Sequence, residues 1–363
     1  MRGFYVGLDV HSKMTSFVIE SEDGALLGRG TLPTSLDGYS VLRTQYAVPP
    51  RTRVGLETGL MAFHAARILQ DLDFDPVVID AYEVRLKAHR PMQKSDRRDA
   101  FEICEGLRRD IYRTRIHVPP DRIVRLRTTL NRRRHFVRLQ SAEVNAVKHI
   151  LHSTGLGRLC RRMQEESSWQ KLLRELPEPK RSLVEMHHKI WRVTGDQVTA
   201  LETQLIEQSE LFQDDFKRLQ SVPGVGPIVA LTAIAAFSDV HRFPTARHAA
   251  SYAGLVPSTS QSGARDWHGH ITRRGSTELR AMLVESAHHS FRKSHPLNPY
   301  FRKLTATRGH KMAVVSIAHR LCRILYAMLR DQTDFDIRKL AIEFGPFEEK
   351  IVRPYRLRHK SRG

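Results

Sequence analysis

Cysteine is scarce in this chain. Its 363 residues hold three, Cys104, Cys160 and Cys322, far apart and with no Cys-x-x-Cys pair. That excludes a disulfide framework and a zinc ribbon, and fits a reducing cytoplasm. No stretch approaches the roughly 20 apolar residues that span a bilayer. The start, Met1-Arg2-Gly3-Phe4, runs directly into strand-like sequence without the apolar core of a secretion signal. The expectation is a soluble, unexported protein without a membrane partner. No internal repeat or low-complexity segment stands out. Negative charge is also short: 39 Asp and Glu stand against 59 Lys and Arg, a formal net charge of +20. Such an excess attracts polyanions, so nucleic acid is the leading partner. A packaging or ribosome-associated protein carries the same charge, which by itself names no reaction.

The length allows two or three domains, each with its own core. Alternation and turn residues predict strands over 4–10, 15–20 and 26–32, the last two joined at Glu22-Asp23-Gly24. A helix over 35–46, a strand over 53–57, a helix over 60–72 and a strand over 76–79 follow. A meander followed by alternation indicates an α/β domain. From 121 to 151 the pattern turns helical and basic, with Arg122, Arg125, Arg127, Arg132, Arg133, Arg134 and Arg138 opposed only by Asp121. These would repel one another unless an anion lay alongside, so Arg132, Arg133 and Arg134 are candidate nucleic-acid contacts. Pro177 and Pro179 break the chain before amphipathic helix from about 183 to 219, a helical hairpin or coiled coil. Arg353, Arg356, Arg358, Lys360 and Arg362 form a basic tail.

Carboxylates at strand ends need a reason in so basic a protein. Asp9 closes the first strand, and Glu57 closes a later one. In Lys94-Ser95-Asp96-Arg97-Arg98-Asp99, Ser95 can cap a helix whose i, i+3 spacing puts Asp96 and Asp99 on one face. Singly, each has an ordinary role at a strand end or helix start. Together they suit hard ions such as Mg²⁺ and metal-assisted phosphoryl transfer.

Val222-Pro223-Gly224-Val225-Gly226-Pro227, followed by an apolar run, is the pattern of a helix-hairpin-helix, whose glycines expose backbone N–H groups to a phosphate. A tight turn between packed helices also needs such glycines. Farther on, Ser258-Thr259-Ser260-Gln261-Ser262-Gly263 reads as a hydroxyl-rich loop, followed by Arg265, Arg273 and Arg274. A hydroxyl that attacks a phosphodiester stores its bond energy for resealing, and arginines offset the developing charge. Chemistry alone does not choose among these hydroxyls. The histidines, including His187-His188 and His288-His289, meet no cysteine pair and are read mostly as surface residues.

These motifs appear in an order that resembles the insertion-sequence-one-ten family of DEDD transposases. They are Gly7-Leu8-Asp9-Val10, Leu56-Glu57-Thr58-Gly59, Lys94-Ser95-Asp96-Arg97-Arg98-Asp99-Ala100, Val222-Pro223-Gly224-Val225-Gly226, Ala253-Gly254-Leu255-Val256-Pro257, Ser262-Gly263 and Arg274-Gly275. The resemblance covers about residues 1–115 and 216–290. It implies an α/β plus α architecture in four parts. Residues 1–115 are a RuvC-like domain of RNase H fold, 116–215 a basic helical or coiled-coil segment, 216–310 a mainly helical transposase domain, and 311–363 C-terminal helices with the basic tail. It implies further that Asp9, Glu57, Asp96 and Asp99 bind Mg²⁺, and that Ser262, placed before Gly263, falls at the family's catalytic serine. The implied partners are donor and target DNA, a guide RNA from the element itself, and further copies of the chain as a dimer or tetramer sharing sites. The implied setting is a bacterial cytoplasm, at the nucleoid when active. Three rivals stand beside it. A junction nuclease would use the same carboxylates with water and no serine, and a noncatalytic packaging protein would need only the charge. An ATP-binding sugar-kinase-like fold would share Val6-Gly7-Leu8-Asp9-Val10, but this sequence lacks the second glycine-rich phosphate loop that such a fold carries after an acidic residue.

Overall fold

The computed structural model describes residues 3–87, 96–160, 163–262, 265–272 and 275–344. Ser95, Arg273, Arg274 and the basic tail lie outside the described residues, as do the side chains of Asp96, Ser262 and Arg265. The chain divides into two compact units, Met1–Pro120 and Asp121–Gly363.

The first unit runs β1 (Phe4–Val10), β2 (Met14–Ser21), β3 (Leu26–Pro33), α1 (Leu36–Thr44), β4 (Arg53–Glu57), α2 (Ala62–Asp71), β5 (Asp75–Ile79), α3 (Ala81–Lys87) and α4 (Asp96–Arg108). The sheet order is β3-β2-β1-β4-β5. β1, β2 and β3 form the expected antiparallel meander, with Gly24 in the left-handed region at its second turn. β4 and β5 add in parallel, through helical crossovers.

Strand periodicity sorts the side chains between two faces. Val6, Leu8, Phe17, Ile19, Val54, Leu56 and Val78 lie in one buried cluster with Leu42, Ala65 and Leu69 of α1 and α2. Val77 and Ile79 pack with Ile103 and Leu107 of α4, and Val18 with Ala100 and Cys104. The result is three layers with the sheet in the middle. On the α4 side, Glu20 of β2 is only 2% exposed, and Arg108 at the end of α4 binds it at 2.8 Å. The Cys104 thiol donates to Tyr5 O at 3.3 Å, and burial pushes it up to about 12, so it packs rather than reacts.

In the second unit, α5 (Asp121–Ser153), α6 (Glu166–Glu175), α7 (Lys180–Ser209), α8 (Gln213–Gln220), α9 (Pro227–Phe237) and α10 (Ala246–Tyr252) precede a ribbon of β6 (Pro257–Ser262) and β7 (Arg265–Ile271). Then come α11 (Thr277–Ala287), α12 (Asn298–Arg308), α13 (His310–Asp331) and α14 (Ile337–Phe344). The expected helical hairpin is present. Arg133 pairs with Glu202, Gln208 with Thr129, Gln140 with the Trp191 carbonyl and His187 with Glu143. One index rises as the other falls, so α5 and α7 are antiparallel. Residues Val229 to Phe237 of α9 are all buried, packed in one core with α13. α13 is long and apolar enough to cross a membrane, contrary to the sequence expectation, and its Ile317, Leu321 and Leu325 lie in that core.

One further expectation is corrected. The hydroxyl-rich segment is a strand rather than a loop, antiparallel to β7 from Pro257↔Ile271 to Ser262↔Arg265. Among the described residues the histidines are mostly exposed or half-buried, as expected, and two are buried. His188 is buried against Trp169, with ring centroids 5.1 Å apart, and bonds Glu166 at 3.0 Å. His295 is buried against the Pro223 carbonyl at 2.9 Å. Adjacent histidines do diverge on a helix: His188 is buried while His187 is half-buried, and His288 is exposed while His289 is half-buried.

Glu83 of α3 ties that helix to the segment after α4. It accepts from Arg113 N at 2.9 Å, Thr114 N at 2.8 Å and Lys87 Nζ at 2.5 Å. The Arg113 amide first, with Lys87, holds this carboxyl at about 2 instead of 4.5. A depressed carboxyl stabilises the fold above its unfolded value and loses that contribution as pH falls through its folded one. Glu83→Gln should therefore destabilise by about 1–2 kcal/mol at neutral pH. In urea titrations from pH 7 downward, the gap to wild type should hold to about pH 4.5 and narrow below it. A gap that ignores pH would refute the charge as its cause.

Candidate functional site

The carboxylate end of the sheet is built from one short pattern used twice. Val6-Gly7-Leu8-Asp9 on β1 and Val54-Gly55-Leu56-Glu57 on β4 are both Val-Gly-Leu-acid. The parallel register pairs Val6 with Val54, Gly7 with Gly55 and Leu8 with Leu56. Asp9 and Glu57 come next, on neighbouring strands and on one face. This repetition was a sequence signal for the pairing, and the motifs taken singly do not reveal it.

The two glycines are what let α4 close over that face. A Cβ at Gly7 would lie 2.2 Å from Ala100 O and 2.4 Å from Cys104 N, and one at Gly55 would lie 2.9 Å from Ile103 Cγ2. Only a hydrogen fits, so the α4 backbone rests on the β1 backbone. Asp99 precedes Ala100, and Asp96 opens the helix. The fold thus brings Asp9, Glu57 and the start of α4 to one end of one sheet face. Thr58 steadies that end, since its N–H donates to Ile79 O at 2.9 Å and its hydroxyl accepts from Ala81 N at 3.0 Å. Asp9 Oδ2 also meets His11 Nε2 at 3.1 Å. Carboxylate oxygens suit a hard divalent cation. Among the described residues no three His, Cys, Asp or Glu side chains converge closely enough to hold one.

Ser262 and Arg265 are the last register partners of the β6–β7 ribbon. The ribbon's base is firmly tied. Gly254 (φ 66°) ends α10, Thr272 N donates to Val256 O at 2.9 Å, and Arg280 Nη1 donates to Ala253 O at 3.1 Å. A Cβ on Gly275 (φ 82°) would lie 2.1 Å from Tyr252 O. These contacts explain Ala253-Gly254-Leu255-Val256-Pro257 and Gly275 as the ribbon's footing. Ser258, nearer the base, donates to His270 O at 3.1 Å.

The Val222–Gly226 segment is the turn between α8 and α9, with Gly224 in the left-handed region at φ 84°. Ser286 and His295 bind the Gly224 and Pro223 carbonyls at 2.7 and 2.9 Å. Gly226, at the N-cap of α9, has φ −84° and ψ 178°, and a Cβ there would meet nothing within 4 Å.

The arginines of α5 are not as unopposed as the sequence suggested. Arg133 pairs with Glu202 of α7 at 2.7 Å, and Arg134 pairs with Glu278 of α11. Arg127 donates to Ala235 O at 2.9 Å, and Arg132 is exposed. Opposing carboxylates came from helices far along the chain, where counting charges within one helix cannot find them.

A transposase family profile of the DEDD IS110 type matches residues 6–155, and one described as the IS116/IS110/IS902 transposase family matches residues 216–304. The transposase for insertion sequence element IS1111A of Coxiella burnetii is 26% identical over 69% of this chain and 70% of its own length. A probable family 20 transposase of Pseudomonas aeruginosa is 28% identical over 78% of this chain and 86% of its own length. A pilin gene-inverting protein of Moraxella bovis is 29% identical over 43% of this chain and 46% of its own length.

Gly7→Ala tests whether the backbone contact places the carboxylates. A methyl group there must push α4 off β1, at a cost of about 2–4 kcal/mol. Chemical denaturation should show that loss. Hydrogen exchange should show lowered protection in β1 and α4 while α1 and α2 stay protected. Unchanged stability would mean that α4 does not rest on Gly7.

Proposed function

We propose that this chain, which belongs to the IS116/IS110/IS902 family of transposases, cuts and rejoins DNA with Ser262 as nucleophile and Asp9, Glu57, Asp96 and Asp99 as holders of Mg²⁺. The observation that carries the reading is the pair of Val-Gly-Leu-acid strands in register beneath α4. The sheet order supports taking the first unit as RuvC-like, of the RNase H fold. A hard divalent ion there would polarise a phosphoryl oxygen and offset charge in the transition state. In the serine step the hydroxyl loses its proton, Oγ bonds to phosphorus, and the bond from phosphorus to the departing deoxyribose oxygen breaks, that oxygen taking up a proton. The reverse attack by a DNA hydroxyl frees the serine and reseals the strand without ATP. Ser262 is favoured over Ser258, whose hydroxyl bonds the ribbon's own backbone, and its register partner is an arginine. Inverting a gene, as the Moraxella relative is named for doing, also requires every cut end to be rejoined.

Arg132, Arg133, Arg134, Arg265, Arg273 and Arg274 are assigned to backbone phosphates. Gly224 and Gly226 are assigned to a helix-hairpin-helix whose α9 N-terminus offers N–H groups to one of them. Donor and target DNA are the substrates. An RNA from the element supplies base-pairing specificity, and several copies of the chain assemble on them.

Recombination with the flanking element DNA should be lost in both Asp9→Ala and Ser262→Ala. Protein-linked DNA should form with wild type and be absent from Ser262→Ala. Cleavage retained by Ser262→Ala would sink the serine step and favour a nuclease that uses water. Gly226→Ala separates a phosphate contact from a turn. Its backbone angles suit any residue and its surroundings are open, so thermal stability should stay within about 0.5 kcal/mol. Duplex DNA affinity should fall several-fold, and unchanged affinity would remove the turn from the interface.

A further inference from the structure

Within the second unit, α5, α9, α10 and the start of α11 line an open cleft of about 430 Å³, inside the roughly 300–1,000 Å³ range of ligand sites. Its floor is small because α9 supplies Ala235 and Ala236 there. Arg127, Asn131 and Arg134 of α5, spaced four and three residues apart, line one side as a single helix face. Tyr252 also lines it. That ring is held by Arg242, whose guanidinium is 4.6 Å from its centroid, and by Phe243 at 5.3 Å.

The charges in this cleft are not balanced. Arg134 is engaged by Glu278. Arg127 is partly buried and donates to the Ala235 carbonyl, and it forms no ion pair with a carboxylate among the described residues. Burial works most against its charge; the Tyr252 hydroxyl opposes that shift and Arg242 adds to it, and the net effect lowers its affinity for a proton. A guanidinium taken out of water without an anion is costly, and a cleft beside it supplies room for one. Ser276 and Thr277, at the N-terminus of the 11-residue α11, line the same space, where backbone N–H groups and the helix dipole favour negative charge.

We propose that this cleft takes one unpaired nucleotide of the nucleic acid the protein works on. The phosphate sits on Arg127 and the α11 N-terminus, and the base stacks on Tyr252 over the alanine floor with Asn131 at its edge. The proposal rests on the transposase reading and goes beyond it, because neither the carboxylates nor Ser262 is involved. A free anion alone would need no aromatic wall or apolar floor. An aromatic ring, an amide and guanidinium groups around such a floor are the usual set for an unstacked base. A base inside a paired stack cannot enter, so an unpaired or extruded nucleotide is required, and extrusion costs least where pairing is already broken.

The full chain would be titrated with fluorescein-labelled 20-base-pair duplexes, fully paired or carrying one bulged adenosine, in DNA and in RNA. Wild type should bind at least one bulged duplex tenfold or more tighter than its paired counterpart, and the arm that shows the preference identifies the sugar. Asn131→Trp plugs the mouth from an exposed position. It should abolish that preference while affinity for paired duplex stays within threefold. Arg127→Met should abolish it too, and a bulge lacking its base should regain less than half of it. The proposal is overturned if wild type treats bulged and paired duplexes alike, or if Asn131→Trp keeps the preference. Tight binding of both duplexes without preference would leave the transposase reading intact, whereas failure to bind any duplex would remove both.

Discussion

The first unit depends on a contact between two backbones with no side chain between them. At Gly7 the space to α4 is a hydrogen wide, since a Cβ would fall 2.2 Å from the Ala100 carbonyl. Everything about α4 follows from that approach. Its apolar side chains Ile103 and Leu107 fall onto β4 and β5, and its far end reaches Glu20, a buried carboxylate that Arg108 neutralises at 2.8 Å. A buried ion pair adds little net stability, because desolvation consumes most of the attraction. What Glu20 and Arg108 add is direction, since a helix fixed at both ends cannot pivot about its middle.

That direction matters because the other end of α4 bears carboxylates. Strands in register stand about 4.8 Å apart, so Asp9 and Glu57 are like charges on neighbouring strands, with Asp99 in the first turn of α4. The cost is met by the packing beneath: Leu8 and Leu56 are fully buried, and Thr58 bonds both the end of β5 and the start of α3. Like charges held in place by such packing suit a hard divalent counter-ion, which finds its oxygen ligands ready on arrival.

Much of this was legible in the sequence. The meander, β4, α2, β5 and the long basic helix stand within a few residues of where alternation and helical spacing predict them, because each has one buried face and writes that face as a period. The hydroxyl-rich strand was not legible for the converse reason. Ser258-Thr259-Ser260-Gln261-Ser262 pairs with a single neighbour and carries no apolar period. The docking of α4 was hidden because glycine records an absence of bulk without saying what comes close. The burial of His188 and His295 was not legible, because it depends on partners such as Glu166 and the Pro223 carbonyl, which are remote in sequence. Of the candidate site, the carboxylate strands were legible, but not the register that joins them.

Charge shows the same limit from another side. The formal +20 suggests arginines waiting for phosphate, yet in the fold Arg133 and Arg134 already hold carboxylates. The two pairs differ in what a phosphate would have to displace. Glu202 is 42% exposed, and a pair so open to water is worth at most about 1 kcal/mol, so a phosphate can take Arg133 at small cost. Glu278 is 19% exposed and sits at the start of α11, where the helix dipole also favours it, so Arg134 is held harder. Exchanging one anion for another releases fewer counter-ions than neutralising a bare charge. The salt dependence of nucleic-acid binding would then count fewer contacts on α5 than it has arginines, with Arg132 contributing most and Arg134 least.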